Sequence, residues 1–335
     1  MDKLLSEKIK VLSFLCTVMV VFRHGLNLHA FGLDSQGTSY VAFIENGVSK
    51  LTEVAVPYFF IVSGYFFFRH AYYGKGEYAV MLRKKIRTLF VPFLFWNIVG
   101  IIPLMLMGQF VFEETPWRYA FQLLNSDWNG VLWYIRDIMT FMLLVPLYAW
   151  IFVLNNRWLY IAVFVFLFMN WLPVDCGWMS SEGMLFFFLG GMLQKNDVLL
   201  GKRMPVAVFA SIGVVWIISC FFFPFYWPIH RYNTLLGLAV FWQLFHYLPK
   251  KSISWMLSVS AYSFFIYVVH AFIVRGMKVG VAHFFFGSDV VALLACVMLP
   301  LLTVGLALYA GKVFNKYLPT LFSICLLYTS PSPRD

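Results

Sequence analysis

Apolar residues run along this chain in blocks of roughly 20, the length that crosses a bilayer as a helix. Polar residues gather between the blocks. The blocks fall near 9–30, 52–72, 86–108, 131–154, 157–173, 182–196, 205–224, 231–248, 254–275 and 289–311. They predict about ten transmembrane helices, and so an all-α polytopic membrane protein. The fifth and sixth blocks are the shortest. Turn signals separate the blocks: Pro116, Asn155 with Asn156, Pro173, Gly201, Pro224, Pro228 and Pro249.

Composition agrees with the pattern. Hydrophobic residues make up 61% of 335 and charged residues 12%, about half the charge of a soluble domain. A formal charge of +10 raises the question of nucleic acid. The basic residues alternate with the apolar blocks, however, so they read as topology signals. With the amino terminus inside, eighteen Lys and Arg fall on the inner side and seven on the outer. That bias predicts an even number of crossings and both termini in the cytoplasm. No small-residue cleavage site follows the first block, which reads as an anchor. Residues 1–323 form one membrane domain in this reading. Residues 324–335 change character abruptly and are either an appended junction or a native disordered tail. The cysteines Cys16, Cys176, Cys220, Cys296 and Cys325 show no CxxC pair and no metal-ligand spacing, so neither a disulfide nor a metal site is expected.

The few polar residues inside the blocks carry the chemistry. Arg23 and His24 end the first block, where a group able to carry charge is costly in lipid. His24 lies fourteen residues past Lys10, about 21 Å along the helix, in the outer half of the bilayer. His270 lies nineteen residues past Lys251 and also falls toward the outer face. Trp133, Tyr134, Arg136 and Asp137 open the fourth block from the outside. Ser63 and Gly64 lie deeper. These placements predict a chamber open to the outer side, with a neutral histidine able to accept a proton from a hydroxyl. The alternative is a structural histidine bonded to a neighbouring helix. Arg136 and Asp137 are either a pair that neutralises itself for insertion or a contact for substrate. The cluster Arg83, Lys84, Lys85 and Arg87 is explained by topology alone, or it clamps the phosphates of a cytoplasmic nucleotide-bearing donor.

With these residues the chain resembles the integral membrane acyltransferase 3 family, the O-acetyltransferases of bacterial surface sugars. Five patches carry the likeness in order: 18–24 (VMVVFRH), 56–65 (VPYFFIVSGY), 83–93 (RKKIRTLFVPF), 132–138 (LWYIRDI) and 262–270 (YSFFIYVVH). The resemblance implies a multi-pass protein of the bacterial cytoplasmic membrane with no permanently bound cofactor. It implies an acyl-CoA co-substrate, usually acetyl-CoA, bound from the cytoplasm, and a polysaccharide or lipid-linked sugar as acceptor. His24 matches the family's catalytic histidine, and His270 the later histidine of its Tyr-x-x-His patch. Trp133, Tyr134, Arg136 and Tyr267 would then face the acceptor, and Arg83, Lys84 and Arg87 the donor. One position departs from the pattern. Ser13 stands eleven residues before His24, where the family often has Arg or Lys. Either Lys10, within about 40° of His24 around the helix, takes over part of that role, or the chain does without it. A transporter or flippase for a surface polysaccharide is the rival class. It would more often show two halves with paired broken helices, and no such internal symmetry is visible.

Overall fold

The computed structural model describes residues 3–26, 28–34, 39–69, 75–172, 179–195, 203–223 and 229–325. They include sixteen α-helices. The first six are α1 (Lys3–Gly25), α2 (Tyr40–Thr52), α3 (Ala55–Arg69), α4 (Lys75–Lys85), α5 (Val91–Leu106) and α6 (Pro116–Asn125). Next come α7 (Trp133–Leu143), α8 (Val145–Val153), α9 (Arg157–Trp171), α10 (Ser181–Lys195) and α11 (Val206–Phe222). The last five are α12 (Ile229–Leu244), α13 (Lys250–Val259), α14 (Ser263–Phe284), α15 (Asp289–Tyr317) and α16 (Pro319–Cys325). Several are apolar enough to place the protein in a membrane. Four described segments have both the length and the apolar character to cross one: Tyr40–Phe68, Tyr78–Leu106, Lys250–Phe284 and Asp289–Tyr317. They match the second, third, ninth and tenth predicted blocks. The pair Gly130–Leu143 and Val145–Val153 makes a fifth if taken as one broken span.

The differences from the predicted blocks have local causes. The fourth block bends by 52° between α7 and α8. Pro146 sits in the first turn of α8. It has no N–H to offer the carbonyl of Met142 and so breaks the ladder. The helices α9 and α11 have 15 and 17 residues. At helical rise they are about 22 and 26 Å long, short of the roughly 30 Å of a bilayer core. Helix α1 is long enough but carries Lys3, Glu7, Lys8, Lys10 and Arg23. Helix α2 was not predicted, because Glu45, Asn46 and Lys50 interrupt its apolar pattern. Those groups are satisfied within the protein. Glu45 Oε2 accepts from the Leu28 N–H at 3.2 Å, and Lys50 Nζ donates to the Phe223 carbonyl at 2.6 Å. Residues 324 and 325 continue α16. The rest of the predicted tail lies outside the described residues, as do Cys176 and the turn residues Pro173, Gly201, Pro224 and Pro228. Cys16, Cys220 and Cys296 are buried free thiols.

In lipid, helices associate through close packing rather than through expulsion of water, and two glycine contacts bring the working helices together. A Cβ added at Gly64 of α3 would lie 2.1 Å from the Phe187 carbonyl oxygen of α10. One added at Gly190 of α10 would lie 2.2 Å from the Ile61 carbonyl oxygen of α3. The two backbones therefore touch where neither has a side chain. Around this seam, Phe60, Phe68, Phe141, Phe152, Phe187 and Phe188 interlock as a buried aromatic core. A second bundle joins α1, α14 and α15. There Gly25, next to His24, faces Pro300, whose Cγ would be 2.4 Å from an added Cβ.

Candidate active site

Between the two bundles lies a cavity of about 550 Å³, within the usual range for small-molecule sites. Helical spacing builds its walls. Thr17, Val20 and His24 fall on one face of α1, and Val56, Phe59 and Ser63 on one face of α3. Trp133 and Tyr134 of α7 close a third side, and Ser263, Phe264 and Tyr267 of α14 a fourth. Thr52, Val131 and Ile135 also contribute, and Arg23, Glu53, Glu182 and Arg231 complete the lining. Its charged groups are two cations and two anions, paired as Arg23 with Glu53 (3.8 Å) and Arg231 with Glu182 (3.4 Å).

His24 is exposed on the cavity wall. Behind it lies His270, fully buried, its ring centroid 5.0 Å from that of His24. His270 Nδ1 is 2.6 Å from the Tyr267 carbonyl oxygen. A carbonyl only accepts, so Nδ1 carries the proton and Nε2 of the neutral ring keeps its lone pair. Nε2 has no hydrogen-bond partner among the described residues. It is a buried acceptor beside the ring that faces the cavity.

The tyrosine hydroxyls are already committed. Ser63 Oγ and the Tyr134 hydroxyl are 2.8 Å apart, and Tyr134 donates onward to the Phe59 carbonyl at 3.1 Å. The Tyr267 hydroxyl donates to the Val131 carbonyl. Both side chains line the cavity with their hydroxyls satisfied, and with Trp133 they give it an aromatic wall.

The family profile described as "Acyltransferase domain", that of acyltransferase 3, matches residues 7–310. The chain belongs to the acyltransferase 3 family. It is also 26% identical over 245 residues to the succinoglycan biosynthesis protein ExoH of Rhizobium meliloti (strain 1021). That alignment covers 66% of this chain and 65% of ExoH, a little under two thirds of the relative's length. No solved structure matches.

Four of the five acyltransferase 3 patches contribute residues to the cavity: 18–24, 56–65, 132–138 and 262–270. The 83–93 patch does not. Arg83 and Lys84 are exposed at the end of α4, and Arg87 is exposed in a π-helical turn, Ile86–Phe90, which leads into α5. Such turns recur at functional sites. This one precedes Pro92, which cannot donate to the carbonyl of Thr88 and so disturbs the ladder just upstream. Lys10 is exposed on α1 and does not line the cavity.

Arg136 is also outside the lining. Its guanidinium holds Asp137 Oδ1 at 3.2 Å and the Asn125 carbonyl at 3.3 Å. Asp137, fully buried, accepts from the Ser180 N–H at 3.0 Å. The pair ties the end of α6 and the segment before α10 onto α7, as a structural ion pair does.

Sequence reasoning missed Glu53, Glu182 and Arg231 as site residues. A signal was present, since each is an isolated charge at the edge of an apolar block, where an ionisable group is a candidate site by default. Among the described residues no group of His, Cys, Asp and Glu is arranged to hold a metal ion.

Proposed function

We propose that this protein is a membrane O-acyltransferase that moves an acyl group, acetyl in the simplest case, from cytoplasmic acyl-CoA to a hydroxyl of a cell-surface or lipid-linked sugar. One observation carries the reading: His24 faces the cavity with the buried acceptor His270 directly behind it. A hydroxyl is a poor nucleophile until a base takes its proton. His24 is that base. The acceptor oxygen attacks the thioester carbonyl carbon, a C–O bond forms and the C–S bond breaks. The proton held by His24 then passes to the departing thiolate. Residues Trp133, Tyr134 and Tyr267 stack on the sugar ring. The balanced pairs Arg23–Glu53 and Arg231–Glu182 meet its hydroxyls without presenting an uncompensated charge. Arg83, Lys84 and Arg87 hold the donor's phosphates at the cytoplasmic face, and Lys10 adds to donor binding. The similarity to a succinoglycan biosynthesis protein favours a polysaccharide or its lipid-linked precursor as acceptor.

This reading places the protein in the bacterial cytoplasmic membrane, with ten crossings and both termini in the cytoplasm. Residues 1–323 form its single membrane domain. The shorter helices then cross where the packed bundle thins or bends the surrounding bilayer.

The test is acyl transfer from radiolabelled acetyl-CoA in inside-out membrane vesicles, wild type beside His24→Ala, with the producing cell's glycans as acceptors. Label is expected in glycan with the wild type. In the variant, which still inserts, transfer falls by about 1,000-fold, within the range of general-base catalysis. Retained transfer in His24→Ala removes the mechanism. No label with intact wild-type protein and a suitable acceptor directs attention to sugar transport and flux assays.

A further inference from the structure

Helix α1 ends at Gly25, one residue beyond His24. The last carbonyls of a helix have no intrahelical donor and must find one elsewhere. Here a single buried side chain serves the carbonyl of His24 and that of Leu26 just beyond the helix. Lys278 of α14 is 7% exposed, and its Nζ donates to the carbonyls of both His24 and Leu26, each at 2.9 Å. A cation at a helix carboxyl end is favoured by the helix dipole, and two hydrogen bonds offset much of the cost of burying it. The neighbouring backbone is also held. The Leu28 N–H donates to Glu45 Oε2 of α2, and Gly25 sits against Pro300 of α15.

Helix α14 therefore meets the base twice. His270 packs against the His24 ring, and Lys278, eight residues or about 12 Å further along, grips the His24 backbone. Neither Lys278 nor Glu45 lines the cavity, so neither touches substrate.

We propose that Lys278 is a positioning residue for His24: by binding the carbonyls of His24 and Leu26 it fixes where α1 ends, and so fixes the direction in which the imidazole enters the cavity. This rests on the reading of His24 as the base. A shift of about 1 Å in a catalytic group can cost about 100-fold in rate, so the anchor acts on turnover rather than on binding.

The experiment compares wild type, Lys278→Met and Lys278→Arg as purified full-length protein. It uses hydrogen exchange over residues 22–28, the rate at which diethyl pyrocarbonate modifies His24, and steady-state transfer. In Lys278→Met the amides of Leu26 and Leu28 are expected to exchange about tenfold faster, and His24 modification to change severalfold. Turnover falls about 100-fold with KM for both substrates within about twofold. Lys278→Arg, which can still donate to two carbonyls, restores most of each. Wild-type exchange and modification in Lys278→Met overturn the proposal, as does wild-type turnover despite loosened exchange. If Lys278→Met does not fold, Lys278→Gln, shorter and uncharged, gives the same comparison in milder form, with Lys278→Arg still expected near wild type. The exchange and modification arms need no substrate. They decide the anchor even if the wild type proves to have no transferase activity, so the two failures are told apart.

Discussion

Two polar regions of this protein differ in how they are assembled. Around His24, residues from seven α-helices and the turn at Glu53 meet around one cavity, although up to about 250 positions separate them in sequence. At α4 and the following π-helical turn, Arg83, Lys84, Lys85 and Arg87 lie almost side by side in sequence, yet Arg83, Lys84 and Arg87 stand exposed and do not line that cavity. Nearness along the chain makes a patch of charge, and nearness in the fold makes a lined cavity. The first suits a ligand held by its overall charge, and the second a reaction that needs fixed directions.

That contrast can be broken experimentally. Substitutions at the cavity should reduce turnover, whereas substitutions in the basic segment should weaken donor binding. After His24→Ala, the largest effect is expected from His270→Ala. It removes the ring that backs the base and should lower kcat by about 100-fold with little change in KM, measured by steady-state transfer with membranes matched for protein content. An unchanged kcat would make His270 a packing residue only. Next is the combined variant Arg83→Ala, Lys84→Ala and Arg87→Ala. Its KM for acyl-CoA should rise about tenfold while kcat holds, as expected for lost phosphate contacts. A fall in kcat alone would place the segment's role in conformation instead. The smallest effect is expected at Lys10. Lys10→Ala should raise the KM for donor by about two- to threefold, since an exposed charge is heavily screened. Donor affinity equal to wild type would mean that the role usual at the position of Ser13 is not taken over by Lys10.

The pattern of residues makes the helical membrane character plain, because backbone groups in lipid must be satisfied within a helix or a closed barrel. It also locates His24, Trp133 and Tyr134, all of which reach the cavity, as does Tyr267, which only the family resemblance singles out. Depth alone is enough for the first three, since residues at one level of a bundle have a good chance of meeting. Depth does not give rotation about the helix axis. Arg136 shares the depth of its neighbours, but its side chain turns away to Asp137 and Asn125. His270 has the right depth and lies one layer behind the wall. The bend at Pro146 could be read from a proline, but not its angle of 52°. Helix α2 escaped notice because its polar residues look like a loop until partners elsewhere in the chain are seen to satisfy them.

By itself, then, the sequence determined the solvent this chain folds in, the helical class, the order of the acyltransferase 3 patches and the identity of the histidine at the end of α1, because all of these follow from local apolar length and spacing. The tertiary structure decided the rest. It set Gly64 against α10 and Gly190 against α3, brought Glu53, Glu182 and Arg231 into the cavity, and anchored His24 through Lys278. Those outcomes depend on which faces of distant helices pack together, and that is settled by close contact between backbones and side chains across the whole bundle.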